Sequence, residues 1–263
     1  MPLVSIITVC RNNPEELERT LSSLREVDRE LAEIVVIDGS DDLECEGVVK
    51  RFGGGVATYV RGPDTGKYDA MNSGIRAASG ASLIFINSGD SLCDGRGFNG
   101  IVRQFEKVLP DCIVYGDHVI FVGGREVAVS AYEPNVENIR RGRLPSHQAT
   151  LVPKAFYNSN MYDDRMYFAA DTKLLRAAFR QLRHVYIPAS IATFAFGGAS
   201  TSSGRWSRVV QQYRETVEVC DLSAFEKVEL LLLLARRKIF HSFVGEGRLQ
   251  AVQAGRLERR RDR

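Results

Sequence analysis

The sequence predicts an α/β fold whose first half is built on a parallel sheet. Short runs of aliphatic and β-branched residues recur along the first 90 residues, and segments with helical spacing of their apolar residues separate them. The runs are apolar at nearly every position, which is typical of strands that are buried on both faces, as in parallel sheets.

The first half contains four predicted strands with helices between them. The strands cover residues 4–10, 34–37, 56–60 and 83–86. A first helix follows Asn13, where Pro14 suits the first helical position and two glutamates suit the first turn. Further helices are predicted near residues 48–52 and over residues 69–78. This alternation predicts that the strands run parallel.

The second half is predicted to be more mixed. Helices are expected over residues 98–108, 171–182, 207–220 and 223–241. Short strands are expected at residues 113–115, 119–122, 126–129, 148–152, 185–187 and 191–196, with Gly123-Gly124 as a hairpin turn.

Composition excludes several classes of protein. The 263 residues are 44% hydrophobic, which excludes a disordered chain, and carry a net charge of +2, which does not indicate a nucleic-acid binder. The longest apolar run, residues 230–235, is far shorter than the roughly 20 residues that cross a bilayer. Five scattered cysteines without a CxxC pair predict buried thiols. The N-terminus resembles a strand rather than a signal peptide, so a cytoplasmic protein is expected.

Polar side chains follow the carboxyl ends of the predicted strands. Arg11 and Asn12 follow the first strand, Asp38 the second, residues 64–69 the third, and Asp90 the fourth. Ligands of parallel α/β sheets bind outside this edge, so a polar site is predicted there. The first strand does not run into GxGxxG, which excludes an NAD-binding oxidoreductase.

Seven segments occur in the order of one known family. They are VSIITVCRN (4–12), IVVIDGSDD (34–42), DTGKYDAMNSGI (64–75), LIFINSGDSL (83–92), SHQA (146–149), AAD (169–171) and FGGAS (196–200). With them, residues 3–200 resemble the family 2 glycosyltransferases, and most closely the branch that assembles colanic acid, capsule and glycolipids. The resemblance implies an α/β fold of the GT-A type, a Rossmann-like mixed sheet flanked by helices, followed by a C-terminal helical extension.

The resemblance also implies an activity and a domain plan. It predicts an inverting transfer of a sugar from a nucleotide-diphosphate donor, with a UDP-sugar favoured, to a glycan or polyprenyl-diphosphate-linked acceptor in surface polysaccharide or glycolipid synthesis. Residues 1–204 would form the catalytic domain, with a nucleotide-sugar-binding half (1–95) and an acceptor half (96–204). A helical extension (205–247) and a flexible basic tail (248–263) would follow.

The donor-binding residues are carried over from the family motifs. They are Val9, Cys10, Arg11, Asn12, Asp38, Gly66, Lys67, Asp69, Asn72, Ser88 and Gly89. Asp38 could instead be a turn residue or a helix cap, and Asp69 a charge at a helix N-terminus. Lys67 either reaches a phosphate or is simply exposed. The DGSDD segment is one residue shorter than the family pattern, which makes Asp38 a safer assignment than Asp41 or Asp42.

The resemblance implies a metal ion at Asp90. Mg²⁺ or Mn²⁺, both hard cations, would neutralise the diphosphate there. The family's usual second acid is replaced by Ser88 and Gly89, so weak metal affinity is expected without a nucleotide. The alternative interpretation of Ser88-Gly89-Asp90 is an ordinary surface turn.

The acceptor side has a general base and three further candidates. The resemblance implies that Asp171 takes the acceptor proton, whereas the alternative is a helix cap, and Asp163 and Asp164 are nearby substitutes. His147 is a candidate contact of the acceptor or diphosphate. Gly197 and Gly198 form either a phosphate cradle or a turn. Asp38, Asp90 and Asp171 are expected at one sheet edge.

The C-terminal segment is basic. Residues 248–263 hold six arginines behind an apolar helix, so residues 223–263 could lie on an anionic membrane surface, with the protein peripheral on the inner face of the cell membrane. The alternative is a frayed, solvated terminus. Aromatic residues are not interleaved with the arginines, so no nucleic-acid partner is expected. A catalytically reduced nucleotide-sugar-binding protein of the same fold is the alternative function.

Overall fold

One mixed sheet organises the part of the chain that the computed structural model describes, residues 1–122, 125–195, 206–236 and 238. Its nine strands are β1 (Val4–Cys10), β2 (Ala32–Asp38), β3 (Thr58–Arg61), β4 (Ser82–Phe85), β5 (Ser91–Leu92), β6 (Cys112–Val122), β7 (Arg125–Val129), β8 (Thr150–Pro153) and β9 (Arg183–Ala195). Their order is β3-β2-β1-β4-β8-β6-β9-β5, and β7 pairs with β6.

The first half is parallel, as the sequence predicted. β1 lies between β2 and β4 and is parallel to both, and β3 is parallel to β2. Every residue of β1 is buried. Ile7 and Val9 belong to the core on one face of the sheet, whereas Val4 and Ile6 belong to the core on the other. Burial on both faces explains why the strand is apolar at nearly every position.

Eight helices are described. They are α1 (Pro14–Ser23), α2 (Glu44–Phe52), α3 (Lys67–Ala77), α4 (Gly95–Phe105), α5 (Val136–Arg141), α6 (Ala170–Gln181), α7 (Trp206–Val219) and α8 (residues 224–236). The helices α1 and α2 contribute Leu17, Leu21 and Val48 to one core. The helices α3 and α6 contribute Met71 and Leu174 to the other. Helices therefore cover both faces of the sheet.

The second half differs from the prediction in several boundaries. The expected strands at 113–115 and 119–122 are one strand, β6. Those at 185–187 and 191–196 fall, as far as the described residues reach, in one strand, β9. The pairing between these two strands shifts its register around Asp117, which breaks the hydrophobic pattern. Residues 147–149 form a 3₁₀ turn before β8, and the short β5 and α5 were not predicted. The Gly123-Gly124 turn lies outside the described residues.

Close packing of α3 on β1 fixes the position of the α3 N-terminus. A Cβ atom on Gly74 would lie 2.4 Å from Cγ2 of Ile7, so only glycine permits this approach. The carboxyl ends of β1 and β4, the start of α3 and the start of α6 meet at one edge of the sheet. No helix among the described residues is long and apolar enough to cross a membrane.

Candidate active site

A cleft of about 640 Å³ opens at this edge of the sheet. Of the residues that the sequence predicted, it is lined by Val9, Cys10, Arg11, Gly66, Lys67, Ser88, Asp90, His147 and Asp171. The sheet end, α3, the segment before β8 and α6 all contribute to it, so residues that are distant along the chain share one concave surface.

The turn after β4 presents Asp90 to the cleft. Thr20 of α1 fixes this turn, because its Oγ1 donates to the Asp90 carbonyl oxygen at 2.7 Å and accepts from the Gly89 N–H at 3.0 Å. Gly89 has a φ of 98°, a conformation that favours glycine. The Asp90 carboxylate accepts from Nε2 of Gln148 at 3.2 Å. Burial raises the pKa of Asp90 to about 6, although His147 and Gln148 partly oppose the shift.

Three buried polar atoms of the cleft residues have no hydrogen-bond partner within the described part of the chain. They are Oδ1 of Asn87, Oγ of Ser88 and Nε2 of His147. Buried polar atoms are normally paired, so these atoms favour a polar ligand in the cleft. Together with the Asp90 carboxylate, the two oxygens are hard ligands of the kind that Mg²⁺ and Mn²⁺ prefer. A cation held by this one carboxylate and the two neutral oxygens would take its other ligands from water or from phosphate.

The one cluster of three metal-ligating side chains within the described ranges is a different one, formed by Cys10, Asp38 and Cys45. Burial and the Asp38 charge raise the pKa of the Cys10 thiol far above its ordinary value, so it stays protonated, and its Sγ donates to the Ile37 carbonyl. The Asp38 oxygens already accept from the Tyr59 hydroxyl and the Ser40 N–H, so the polar atoms of this cluster are engaged by hydrogen bonds within the protein.

The carboxylate of Asp38 makes its hydrogen bonds within the protein. It is fully buried and does not line the cleft. Its two oxygens accept from the Tyr59 hydroxyl at 2.7 Å and from the Ser40 N–H at 2.8 Å. This position matches the turn interpretation of Asp38, and its contact with a nucleoside stays a prediction. Of the three acids expected together, Asp90 and Asp171 line the cleft, whereas Asp38 is buried and does not.

Asp64 is the acid that the sequence reasoning did not select at this end of the cleft. It lines the cleft and lies 3.5 Å from Nη1 of Arg11. Gly39 makes room for it, because a Cβ atom there would lie 1.8 Å from Oδ2 of Asp64. The signal was available, since Asp64 is the first residue of the DTGKYDAMNSGI segment.

Four other predicted donor residues do not line the cleft. Asn12 is exposed and pairs with Ser40 and Asp41. Asp69 accepts from the N–H and Oγ1 of Thr65, which matches its alternative role at a helix start. Asn72 is buried and exchanges two hydrogen bonds with the Tyr162 backbone. Gly89 shapes the turn.

Lys67 is the first residue of α3 and lines the cleft. Burial lowers the pKa of its ammonium, and the charges of Asp171 and Glu215 partly oppose this. Its Nζ is 4.6 Å from the centroid of the Tyr68 ring. A cation in this position favours the phosphate contact over the exposed alternative.

Asp171 is the second residue of α6, so it lies inside the helix rather than at its cap. Its Oδ2 is 3.4 Å from Nδ1 of His147, and its Oδ1 accepts from the Thr172 N–H. Burial raises the pKa of Asp171, but the hydrogen bond and charge of His147 and the charge of Lys67 outweigh burial and hold it below its ordinary value. Asp171 is therefore ionised at neutral pH.

The loop that carries the start of α6 is held from two sides. Glu215 of α7 is buried and accepts N–H bonds from Tyr167, Phe168 and Ala169 at 2.7–3.0 Å. On the other side, the Tyr68 hydroxyl donates to the Phe168 carbonyl at 3.0 Å. Sequence reasoning missed Glu215, because nothing in its local pattern marks the packing of α7 on this loop.

The remaining candidates lie elsewhere. Asp163 is engaged by Arg165 and Lys173, which hold its pKa far below the ordinary value, and it does not line the cleft. Asp164 is exposed and does not line the cleft either. Gly197 and Gly198 lie outside the described residues.

The comparison with protein families identifies the class. Residues 5–161 match the sequence model of glycosyl transferase family 2, and the chain therefore belongs to this family. Solved structures of similar fold include Staphylococcus aureus TarS 1–349 in complex with UDP-GlcNAc, with a TM-score of 0.64 and 16% identity over 92% of this chain and 73% of that one. These neighbours are GT-A glycosyltransferases, so the fold is of the predicted GT-A type.

A second solved structure and two curated relatives are also similar to this chain. A mannosyltransferase from Pyrobaculum calidifontis in complex with GDP-Man and Mn²⁺ has a TM-score of 0.61 and 16% identity, covering 97% of this chain and 80% of that one. An uncharacterized glycosyltransferase of Mycobacterium tuberculosis H37Rv is 40% identical over 90 residues, 34% of each chain. A PGL/p-HBAD biosynthesis glycosyltransferase of Mycobacterium bovis BCG is 29% identical over 122 residues, 45% of this chain and 48% of that one. The matches thus span a third to a half of these curated relatives.

Proposed function

We propose that the protein is an inverting glycosyltransferase that moves a sugar from a nucleotide-diphosphate donor to an acceptor hydroxyl. One observation carries the proposal: Asp90 and Asp171, which come from the two halves of the chain, line the same cleft beside buried polar atoms that have no partner among the described residues. A carboxylate for the diphosphate side and a carboxylate for the acceptor side are what this reaction needs.

The donor would enter from the β1 and α3 side of the cleft. Val9, Cys10 and Arg11 line this side with Asp64 and Gly66, and Lys67 adds a cation for the diphosphate. Solved neighbours of this fold hold UDP-GlcNAc, UDP or GDP-Man. A UDP-sugar is the favoured donor, and a hexose is the favoured sugar.

Asp90 would hold Mg²⁺ or Mn²⁺, with Oδ1 of Asn87 and Oγ of Ser88 as further oxygen ligands. When bound, such a cation supplies Lewis-acid stabilisation of the leaving diphosphate. The Pyrobaculum mannosyltransferase, whose structure contains Mn²⁺, supports this assignment. Because Asp90 is the one carboxylate proposed to bind the metal, we expect tight metal binding only together with the donor.

Asp171 would act as the general base. The acceptor hydroxyl loses its proton to a carboxylate oxygen of Asp171 as its oxygen bonds to the anomeric carbon, while the bond between that carbon and the diphosphate oxygen breaks. His147 holds the carboxylate in place through its Nδ1. A positioned base typically contributes about 10²–10⁴-fold to the rate.

We infer that the acceptor is a glycan or a polyprenyl-diphosphate-linked sugar and that the enzyme works at the inner face of the membrane, in surface polysaccharide or glycolipid synthesis. The mycobacterial relative named for PGL/p-HBAD biosynthesis supports a glycolipid acceptor. Residues 1–95 and 96–204 would then be the donor and acceptor halves, with residues 205–247 as the helical extension and 248–263 as the basic tail.

The proposal is tested by a screen of nucleotide sugars with Mn²⁺ or Mg²⁺, in which both binding and donor hydrolysis are measured. Wild type is expected to bind one donor class in a metal-dependent way and to hydrolyse it slowly. Asp90→Asn should lose the metal dependence, whereas Asp111→Asn, an exposed carboxylate outside the cleft, should behave as wild type. Metal-dependent binding without turnover on any acceptor would favour the alternative function, a nucleotide-sugar-binding protein that has lost catalysis.

A further inference from the structure

A second concave surface of about 660 Å³ lies between α8 and the segment that follows α5, and is here called the α8 groove. Its apolar residues include Phe225, Val228, Leu232 and Leu233. The residues Phe225, Leu232 and Leu233 are 71%, 50% and 61% exposed, respectively. An apolar face this exposed marks an interaction site rather than a core.

Arginines line the same groove. Arg141 is neutralised by Glu226 and Glu137, but Arg143 and Arg236 form no ion pair with any described residue. Glu229 is the one further acid of the groove. An apolar surface with two unpaired guanidinium groups is complementary to an anion that carries a hydrocarbon chain, because arginine binds phosphate well and the chain covers the leucines.

One short segment joins the groove to the cleft. Arg141 and Arg143 line the groove, whereas Gly142, Leu144 and His147 line the cleft. Alternate residues of this segment therefore contact the two concave surfaces. A molecule seated in the groove would therefore contact the same segment that carries His147, whose Nδ1 lies 3.4 Å from Oδ2 of Asp171.

We propose that the α8 groove binds the phosphate-bearing hydrocarbon end of a lipid-linked acceptor, with the phosphate on Arg143 and Arg236 and the chain on the apolar face of α8. This inference rests on the proposed function, because it assigns the acceptor class of the same cleft. It defines a site for the acceptor lipid that is separate from the donor contacts.

The test is sedimentation of the full chain with phosphatidylcholine vesicles that contain a small mole fraction of polyprenyl phosphate. Wild type is expected to bind these vesicles and not pure phosphatidylcholine vesicles. The double variant Arg143→Gln/Arg236→Gln should bind about 10- to 30-fold more weakly, since each arginine near an anionic surface contributes substantially to binding. The matched variant Arg76→Gln/Arg183→Gln removes two exposed arginines outside the groove and should bind as wild type.

Three outcomes would overturn the inference. Equal binding by the two double variants would show that the groove is not the site. This result is expected if residues 239–263 bind the vesicles, or if a second copy of the chain covers the groove. Equal binding to phosphatidylglycerol vesicles of matched charge would show recognition of bulk anionic lipid instead. Leu232 is exposed, and unchanged vesicle binding by Leu232→Gln would contradict the proposed contact between the hydrocarbon chain and α8.

Donor binding keeps this test separate from the proposed function. Metal-dependent donor binding should be the same in wild type and in both double variants, because none of these arginines lines the cleft. If wild type binds no donor, the transferase proposal is contradicted, regardless of the result with vesicles.

Discussion

Nδ1 of His147 lies 3.4 Å from Oδ2 of Asp171 and joins the segment before β8 to the first turn of α6. His147 therefore holds the proposed base in place and stabilises its charged form. We predict that His147→Gln lowers kcat by about 10- to 100-fold, because a misplaced base loses much of its effect. Donor affinity should change much less.

The same variant has a pH signature. Although burial raises the pKa of Asp171, His147 helps to hold it below its ordinary value, so removal of His147 should raise it. Since the base must be ionised, the acid limb of the kcat profile should move to higher pH. The control is His184→Gln, an exposed histidine outside the cleft. An acid limb that does not move in His147→Gln would show that His147 does not influence the pKa of the base.

Asp171→Asn tests the base directly. The amide retains the shape of the side chain but cannot accept a proton, so kcat should fall by about 10²–10⁴-fold while the donor dissociation constant stays within a few-fold. The matched variant is Asp164→Asn, an exposed acid that does not line the cleft. A collapse of donor affinity in Asp171→Asn, with kcat preserved, would assign Asp171 a structural role.

The pH dependence of donor binding tests Asp90. Burial raises its pKa to about 6, so below that pH the carboxyl is protonated and competes poorly for a cation. Metal-dependent affinity for a nucleotide sugar, whose diphosphate is esterified at both ends, should therefore be constant above pH 6 and fall as the pH drops below it. Titration calorimetry with Mn²⁺ would measure this. Affinity that stays constant down to pH 4 would conflict with Asp90 as the ligand.

Glu215 tests whether α7 positions the base. Glu215→Gln replaces one acceptor oxygen by an amide N–H group, so at least one of the three backbone N–H bonds to residues 167–169 is lost. We predict a loss of about 2–3 kcal/mol in the free energy of unfolding and a fall in kcat larger than the change in donor KM. Glu218→Gln, an exposed glutamate on the same helix, is the control. A variant that loses stability but retains kcat would limit Glu215 to a structural role.

The sequence predicted the fold well because burial leaves a local pattern. The strand β1 is apolar at nearly every position, and the structure buries all of it between two helical layers. The long strand β9 was divided in two, because the bulge against β6 interrupts the regular pattern and Pro188 lies near the break.

The candidate site was only partly predictable. The motifs identified the acids at the strand ends, but which of them faces the cleft depends on packing across the sheet. Asp38 is turned inward by the Tyr59 hydroxyl, while Gly39 lets Asp64 occupy the surface instead. Glu215 of α7 contacts a loop that lies far from it along the chain. A local sequence pattern does not encode such a long-range contact.

We propose that Asp90 and the neighbouring oxygens hold a divalent cation together with a nucleoside diphosphate. The most direct measurement is the anomalous scattering of Mn²⁺ in crystals grown with UDP and with GDP. We predict a peak within coordination distance of the Asp90 carboxylate and of the diphosphate in at least one of them. A peak at Cys10, Asp38 and Cys45, or a diphosphate bound away from the Asp90–Asp171 cleft, would contradict the account.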